Sequence, residues 1–336
     1  MSGLRKNGGI AIMCDFMDLA ELCRNQKVYI QTHNFPDPDA IASAYALQKL
    51  LKHFDVSTEL CYAGRIDKLS AAKMLNAFHI EMHSYDQLRR KMSKSDYIIC
   101  VDSQKNAGNI TDFIGDEVAC IDHHPTFARI QYRYSDIRIT GACSSIIAEY
   151  YFRLGIEPDS DTAAALLYGM KMDTLQFSRG VTPLDIEMFG FLYSRCDHEK
   201  LNHLERNNME LTDLKAYGAA INSIRLYGKE GISFIPFFCP DALIASISDF
   251  ILALDEVDVA VVCAIRPDGI KISVRSEVEW VHAGKLIRNA LEGIGDGGGH
   301  AVMAGGLIPQ ENVPRLGNSL ENQVGHLFLE ALERCG

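Results

Sequence analysis

Three short apolar runs in the first half of the chain each hand over to an acidic or histidine residue. They are KVYIQT (Lys27 to Thr32, with His33 next), YIICVD (Tyr97 to Asp102) and VACID (Val118 to Asp122). Runs this short and this continuous suit strands buried on both faces better than strands with one wet face. Helix-like stretches follow or separate them at Ala40 to His53, Ser144 to Leu154, Asp161 to Lys171 and Thr182 to Tyr193. The alternation predicts an α/β fold whose first domain is a mostly parallel sheet with helices on both faces. In such sheets the loops leaving the carboxyl ends of the strands build the site. All three runs place their chemistry at that end.

A chain of 336 residues suggests more than one domain. The first is assigned to residues 1–195. Residues 196–227 read as a helical linker, with Leu201, Leu204, Leu211 and Leu214 as its apolar stripe and a hinge as its expected role. Residues 228–336 read as a smaller α/β domain with a mixed sheet. Its signals are a strand at GISFIPFF, a helix over Asp241 to Leu254 and a hairpin turning at Pro267-Asp268-Gly269. A helix over His282 to Leu291, the glycine-rich DGGGHAVMAGG and a final helix to about Leu332 complete it.

Composition narrows the function classes. Apolar residues at 47% and charged residues at 23% are those of an ordinary soluble protein. A formal charge of −11 argues against broad binding of long duplex nucleic acid, which needs basic surface, but leaves room for a short phosphate-bearing substrate. Ten cysteines without a CxxC pair give no zinc ribbon or redox motif, and Cys100, Cys120 and Cys263 read as small buried hydrophobes. No run approaches the ~18 apolar residues of a membrane span, and IAIMC is too short for a signal-peptide core. The expectation is a reduced, cytoplasmic protein with no membrane partner.

The strand ends collect His33, Asp37, Asp39, Asp102, Asp122, His123 and His124, and Asp173 closes LLYGMKMDT. Each has an ordinary reading alone: Asp37 and Asp39 as turn and N-cap residues, His33 as a capping residue, Asp102 as a solvated strand end. Brought together, the carboxylates would repel one another and raise one another's pKa. Divalent cations remove that cost. Mixed oxygen and imidazole donors favour Mn²⁺, with Mg²⁺, Co²⁺ or Fe²⁺ as alternatives, and no thiolate points to structural zinc. Two ions about 3.5–4 Å apart would share one carboxylate, clamp a phosphoryl oxygen and activate a water. Asp102, on the middle strand of the three in chain order, is the natural shared ligand.

The order HNFPDPDA (His33 to Ala40), VD at Asp102, DHH (Asp122 to His124) and Gly169 to Thr174 resembles the DHH phosphoesterase superfamily. VRS (Val274 to Ser276) and GGGHAVMAGG (Gly297 to Gly306) are similar to its DHH-associated C-terminal domain, so the likeness covers nearly the whole chain. It implies His33, Asp37 and Asp102 on one metal, and Asp39, Asp102, His123 and Asp173 on the other. It implies His124 facing the phosphate and Asp122 orienting a ligand histidine. In the second domain it implies Arg275, Ser276, Gly298, Gly299 and His300 as the substrate grip, in keeping with glycine amides, a guanidinium fork and a hydroxyl suited to phosphate. The resemblance points to the small oligoribonucleases and phosphoadenosine-phosphate phosphatases, acting on short RNA or small nucleotides; a homodimer stays open. Asp296 stands where the family's usual run has its first glycine. The rivals are an exopolyphosphatase or pyrophosphatase, and a non-catalytic nucleotide-binding relative.

Overall fold

The computed structural model describes residues 16–66, 69–126, 130–206, 209–317 and 319–334. It divides into two compact units, residues 1–208 and 209–336.

A helix over residues 16–23 (α1) leads into the first sheet. That sheet has six strands in the order β3-β2-β1-β4-β5-β6, all parallel. They are β1 (Val28–Gln31), β2 (Thr58–Tyr62), β3 (Met82–Ser84), β4 (Tyr97–Val101), β5 (Asp116–Asp122) and β6 (Tyr134–Ile137). The three runs read from the sequence are β1, β4 and β5, three adjacent strands of the four inside the sheet. The chain winds outward from β1 through β2 to β3, then returns to β4 beside β1 and winds the other way. Order therefore reverses between β1 and β4, where loops part and leave a crevice at the carboxyl ends. His33 leaves β1 and Asp102 leaves β4 at that point.

Helix α2 (Pro38–His53) is buried over residues 38–47, alanine-rich, and packs against α5 (Cys143–Leu154) and α6 (Ser160–Asp173). Helix α6 reaches it closely because residue 169 is glycine. A Cβ there would stand 2.6 Å from Ser144 Oγ and 3.0 Å from the Asp39 Cα. Helices α3 (Leu69–Ala77), α4 (Tyr85–Leu88), α7 (Pro183–Tyr193) and α8 (His198–Glu205) complete the unit.

The span 196–227, expected as a linker, is divided. Helix α8 buries Leu201 and Leu204 in the first unit's core, whereas α9 (Asp213–Ser223) buries Ala216 and Ala220 against the second unit's sheet. Leu211 and Leu214 are exposed, so the four leucines form no single stripe.

The second unit holds a mixed sheet in the order β11-β12-β10-β9-β8-β7, in which the β8–β9 pair is parallel and the rest antiparallel. Its strands are β7 (Arg225–Tyr227), β8 (Glu230–Ile235), β9 (Val259–Arg266), β10 (Gly269–Ser276), β11 (Asp296–Gly299) and β12 (Met303–Pro309). Alternation along β9 sends Val259, Val261 and Cys263 toward α11 (Ala283–Ala290) and α12 (Leu320–Glu333). Ala260, Val262 and Ala264 face α9 and α10 (Asp241–Leu252). The hairpin turns at Pro267-Asp268-Gly269 as read.

The glycine run is strand, not loop. Gly299 has φ 155°, and a Cβ there would stand 2.4 Å from the Met303 carbonyl oxygen. A Cβ on Gly284 would stand 2.2 Å from the Gly299 oxygen, so the start of α11 lies directly on β11. Eight cysteines among the described residues, Cys100, Cys120 and Cys263 included, are free and buried. Among the described residues no helix is long and apolar enough to cross a membrane.

Candidate metal centre

The turn after β1 sets two aspartates by different means. Asp37 is the N-cap of α2: its Oδ1 accepts from the amides of Asp39 (3.0 Å) and Ala40 (3.2 Å), and Pro38 takes the first helical position. The capping carboxylate is also the one that the sequence assigns to a cation. Asp39 points back under the helix and is almost fully buried. Its two oxygens accept the amides of Cys143 (2.7 Å) and Ser144 (3.0 Å), the opening residues of α5. A helix N-terminus favours an anion, which holds this carboxylate in one pose.

Asp102 follows β4 with φ 58°, in the left-handed region that non-glycine residues rarely adopt. Its amide donates to the Ile121 carbonyl, and its buried side chain lies between two histidines. His33 Nε2 is 3.6 Å from Asp102 Oδ2 and 3.8 Å from Asp37 Oδ1. His123 Nε2 is 3.3 Å from Asp102 Oδ1 and 3.4 Å from Asp173 Oδ2. Both rings commit Nδ1 to a backbone carbonyl, His33 to Asn34 at 2.8 Å and His123 to Thr140 at 3.0 Å. A carbonyl can only accept, so each Nδ1 donates and each Nε2 faces the carboxylates.

The histidine that Asp122 orients is His124. Its buried carboxylate accepts from Gln104 Nε2 (2.7 Å), the His123 amide (2.9 Å) and His124 Nδ1 (2.9 Å). It thus orients His124, while His123 is oriented by Thr140. His124 is nearly half exposed, with its ring tilted against His123 at 4.2 Å between centroids.

The structure therefore brings together all eight candidates of the first domain. Two trios, His33-Asp37-Asp102 and Asp39-His123-Asp173, each offer ligand atoms within 4.8 Å of one another, as does Asp102-His123-His124. Burial pushes the Asp102 carboxyl up to about 6, and the nearby Asp39 adds to it. Asp39 and Asp173 are also raised, by burial and then by neighbouring carboxylates. Burial works against a charged imidazole, but the surrounding carboxylates outweigh it and raise His33 to about 9 and His123 to about 11. Burial likewise opposes ionisation of Asp122, yet His124 and Gln104 hold it below the usual carboxylate range.

A cation pair fits this set on two grounds. Asp102 Oδ1 and His123 Nε2 are buried without a hydrogen-bond partner, 3.3 Å apart but not aligned for one. The donors, oxygen with imidazole and no thiolate, are those of Mn²⁺ or Mg²⁺ sites. Without a cation, the two Nε2 positions hold protons at neutral pH. Cation uptake should therefore release protons, and apparent affinity should rise with pH from about 6, where Asp102 ionises, through about 9 and beyond, with His123 losing its proton last. Calorimetry in buffers of different ionisation enthalpy reads this. An affinity independent of pH would remove the imidazoles from the ligand set.

In the second unit, Arg275, Gly298, Gly299 and His300 line a cavity of about 330 Å³ together with Lys271 and Asp241. Arg275 is held by Asp249 (Nε to Oδ1, 2.6 Å) and Ser273 Oγ (3.1 Å). Ser276 is buried with its hydroxyl on the Val278 carbonyl and does not line the cavity. Asp296 is exposed at the start of β11 and also lies off it.

Residues 27–170 match the DHH family, N-terminal domain, and residues 232–325 match the DHHA1 domain. The protein MJ1633 of Methanocaldococcus jannaschii is 28% identical over 299 residues, 88% of this chain and 61% of its own length. Probable manganese-dependent inorganic pyrophosphatases of Streptococcus pyogenes are 31% identical over 153 residues, 44% of this chain and 49% of theirs. The chain thus spans less than two thirds of either relative. Among solved structures, an exopolyphosphatase-related protein from Bacteroides fragilis superposes with a TM-score of 0.77 at 19% identity, covering 97% of this chain and 96% of that one. RecJ from Thermus thermophilus, in complex with Mn²⁺, gives 0.54 at 14% identity, over 98% of this chain and 56% of its own. These likenesses are of fold.

Proposed function

We propose that this chain, which belongs to the DHH family and carries a DHHA1 domain, hydrolyses phosphoester bonds of short oligoribonucleotides or small nucleotide phosphates with two divalent cations, Mn²⁺ foremost. The observation that carries the reading is the pair of imidazoles whose Nδ1 atoms are spent on carbonyls while both Nε2 atoms face buried carboxylates. His33, Asp37 and Asp102 would hold one ion, and Asp39, Asp102, His123 and Asp173 the other. When bound, such a pair neutralises phosphoryl oxygens and makes water a stronger nucleophile at neutral pH. The chain's own part is to fix that geometry and to add a donor. His124, with Nδ1 on Asp122, keeps a proton for charge that builds on the phosphoryl oxygens. Asp122 raises the His124 pKa despite the cost of burial, so the ring stays protonated beyond its ordinary range.

For the substrate, the cavity of the second unit combines Arg275, Lys271 and His300 with the side-chain-free edge at Gly298. Those groups suit a phosphate, and its apolar walls, Ile244, Ile272 and Met303 among them, suit a base. The pyrophosphatase relatives favour a second reading, hydrolysis of pyrophosphate or polyphosphate, but their likeness extends over 44% of this chain. A Mn²⁺-supplemented panel of a diribonucleotide, 3′-phosphoadenosine 5′-phosphate, pyrophosphate and linear polyphosphate separates the two. Turnover of the nucleotides, lost with a chelator, is expected. Turnover of pyrophosphate or polyphosphate alone would sink the nucleotide reading.

A further inference from the structure

Asp185 lies in the first turn of α7, fully buried, and belongs to neither carboxylate trio. Its Oδ2 accepts the Thr182 amide and hydroxyl, both at 2.6 Å, which closes a capping box at the start of its own helix. Two further donors come from another part of the chain: the Gly141 amide at 2.9 Å and the Ser145 hydroxyl on Oδ1. A cap does not need them. Their effect is to tie residues 141–145 to α7, and the approach is close enough to require glycine, since a Cβ on residue 141 would stand 2.7 Å from Oδ2.

The tied segment, together with the Thr140 carbonyl that shares a peptide bond with the Gly141 amide, carries supports of one cation cluster. The Thr140 carbonyl orients His123, and the Cys143 and Ser144 amides fix Asp39. The other cluster draws its supports elsewhere, His33 from Asn34 and Asp37 from the amides of α2. We infer that Asp185 is a positioning residue for the Asp39-His123-Asp173 site alone, so that the two cation sites depend unequally on it. This rests on the two-cation reading.

The test is a Mn²⁺ titration of the full chain followed by electron paramagnetic resonance, with circular dichroism as the check on folding. The wild type should take up two ions, the second giving an exchange-coupled spectrum. In Asp185→Ala one site should keep its affinity within about twofold, and the other should weaken by roughly 10–100-fold, the scale for lost outer-shell support. The coupled spectrum should fade with it. Asp185→Asn keeps an oxygen for the three donors on Oδ2 and lets the Ser145 hydroxyl turn to accept, so it should restore both sites to near wild-type affinity. If Asp185→Ala does not fold, Ser145→Ala, which cuts just the Oδ1 link, should still weaken one site alone. Equal weakening of both sites, or of neither, in a folded variant overturns the inference. A wild type that fails to bind two ions sinks the two-cation reading itself, and the inference falls with it.

Discussion

Asp102→Asn should lower cation-supported hydrolysis by roughly 10²–10³-fold or more, the scale of removing a preorganised charge at a reacting centre. Among the described residues, Asp102 is the one carboxylate paired with both His33 and His123, with Oδ2 toward His33 and Oδ1 toward His123. Losing its charge therefore weakens both candidate sites at once, which no other aspartate in the set would do. Asparagine is the informative replacement because it tolerates the left-handed φ of 58° that alanine would resist. The fold should survive. Two effects on stability in chelator oppose one another: a buried carboxylate that burial and Asp39 push up to about 6 becomes neutral, while His33 and His123 lose a partner that helps hold their protons. Removing an acid raised in the folded state relieves a cost at pH 7, whereas removing the partner of two raised histidines forfeits stability that they contribute below their raised values. Activity lost with the fold retained by circular dichroism is the expected pair of results. Wild-type, Mn²⁺-stimulated turnover in this variant would remove Asp102 from the site.

What the sequence discloses follows from which physical signals reach the side chains. Strands β1, β4 and β5 announce themselves because both faces are buried, so their apolar runs are continuous. The outer strands do not. TELCY in β2 has two partly exposed residues before its buried centre, β3 is three residues long, and YSDI in β6 carries a serine and an aspartate. The glycine run gives no strand signal either. Its glycines suggest a mobile loop, whereas they let the start of α11 lie against an edge strand. The site divides in the same way. Its charged side chains are legible from residue type and strand-end position. Its supports are backbone groups, the carbonyls of Asn34 and Thr140 and the amides of Cys143 and Ser144, and any residue type can provide those. Gln104 and Asp185 act by side chain, but burial alone distinguishes them from surface polar residues, and a single sequence does not report burial of a glutamine or an aspartate.

His124→Ala should lower kcat by roughly 10²–10³-fold, the cost of one preorganised donor, while the Mn²⁺ titration changes little. The expectation separates His124 from its neighbour. His123 turns its Nε2 into the carboxylates, whereas His124 spends Nδ1 on Asp122 and leaves the ring nearly half exposed. Asp122→Asn should cost less, about 10–100-fold, since it acts by orienting and charging that ring. Because Asp122 holds the His124 pKa up, its removal should also shift the alkaline limb of kcat toward lower pH. The double variant decides whether the two form one unit. If Asp122 works through His124, adding Asp122→Asn to His124→Ala should cost little further activity, and the alkaline limb should already be gone. Multiplying losses would instead assign Asp122 a task of its own, most directly through the His123 amide and Gln104 that share its carboxylate. The non-additivity is thus the sharper measurement, because each single loss alone is compatible with either arrangement.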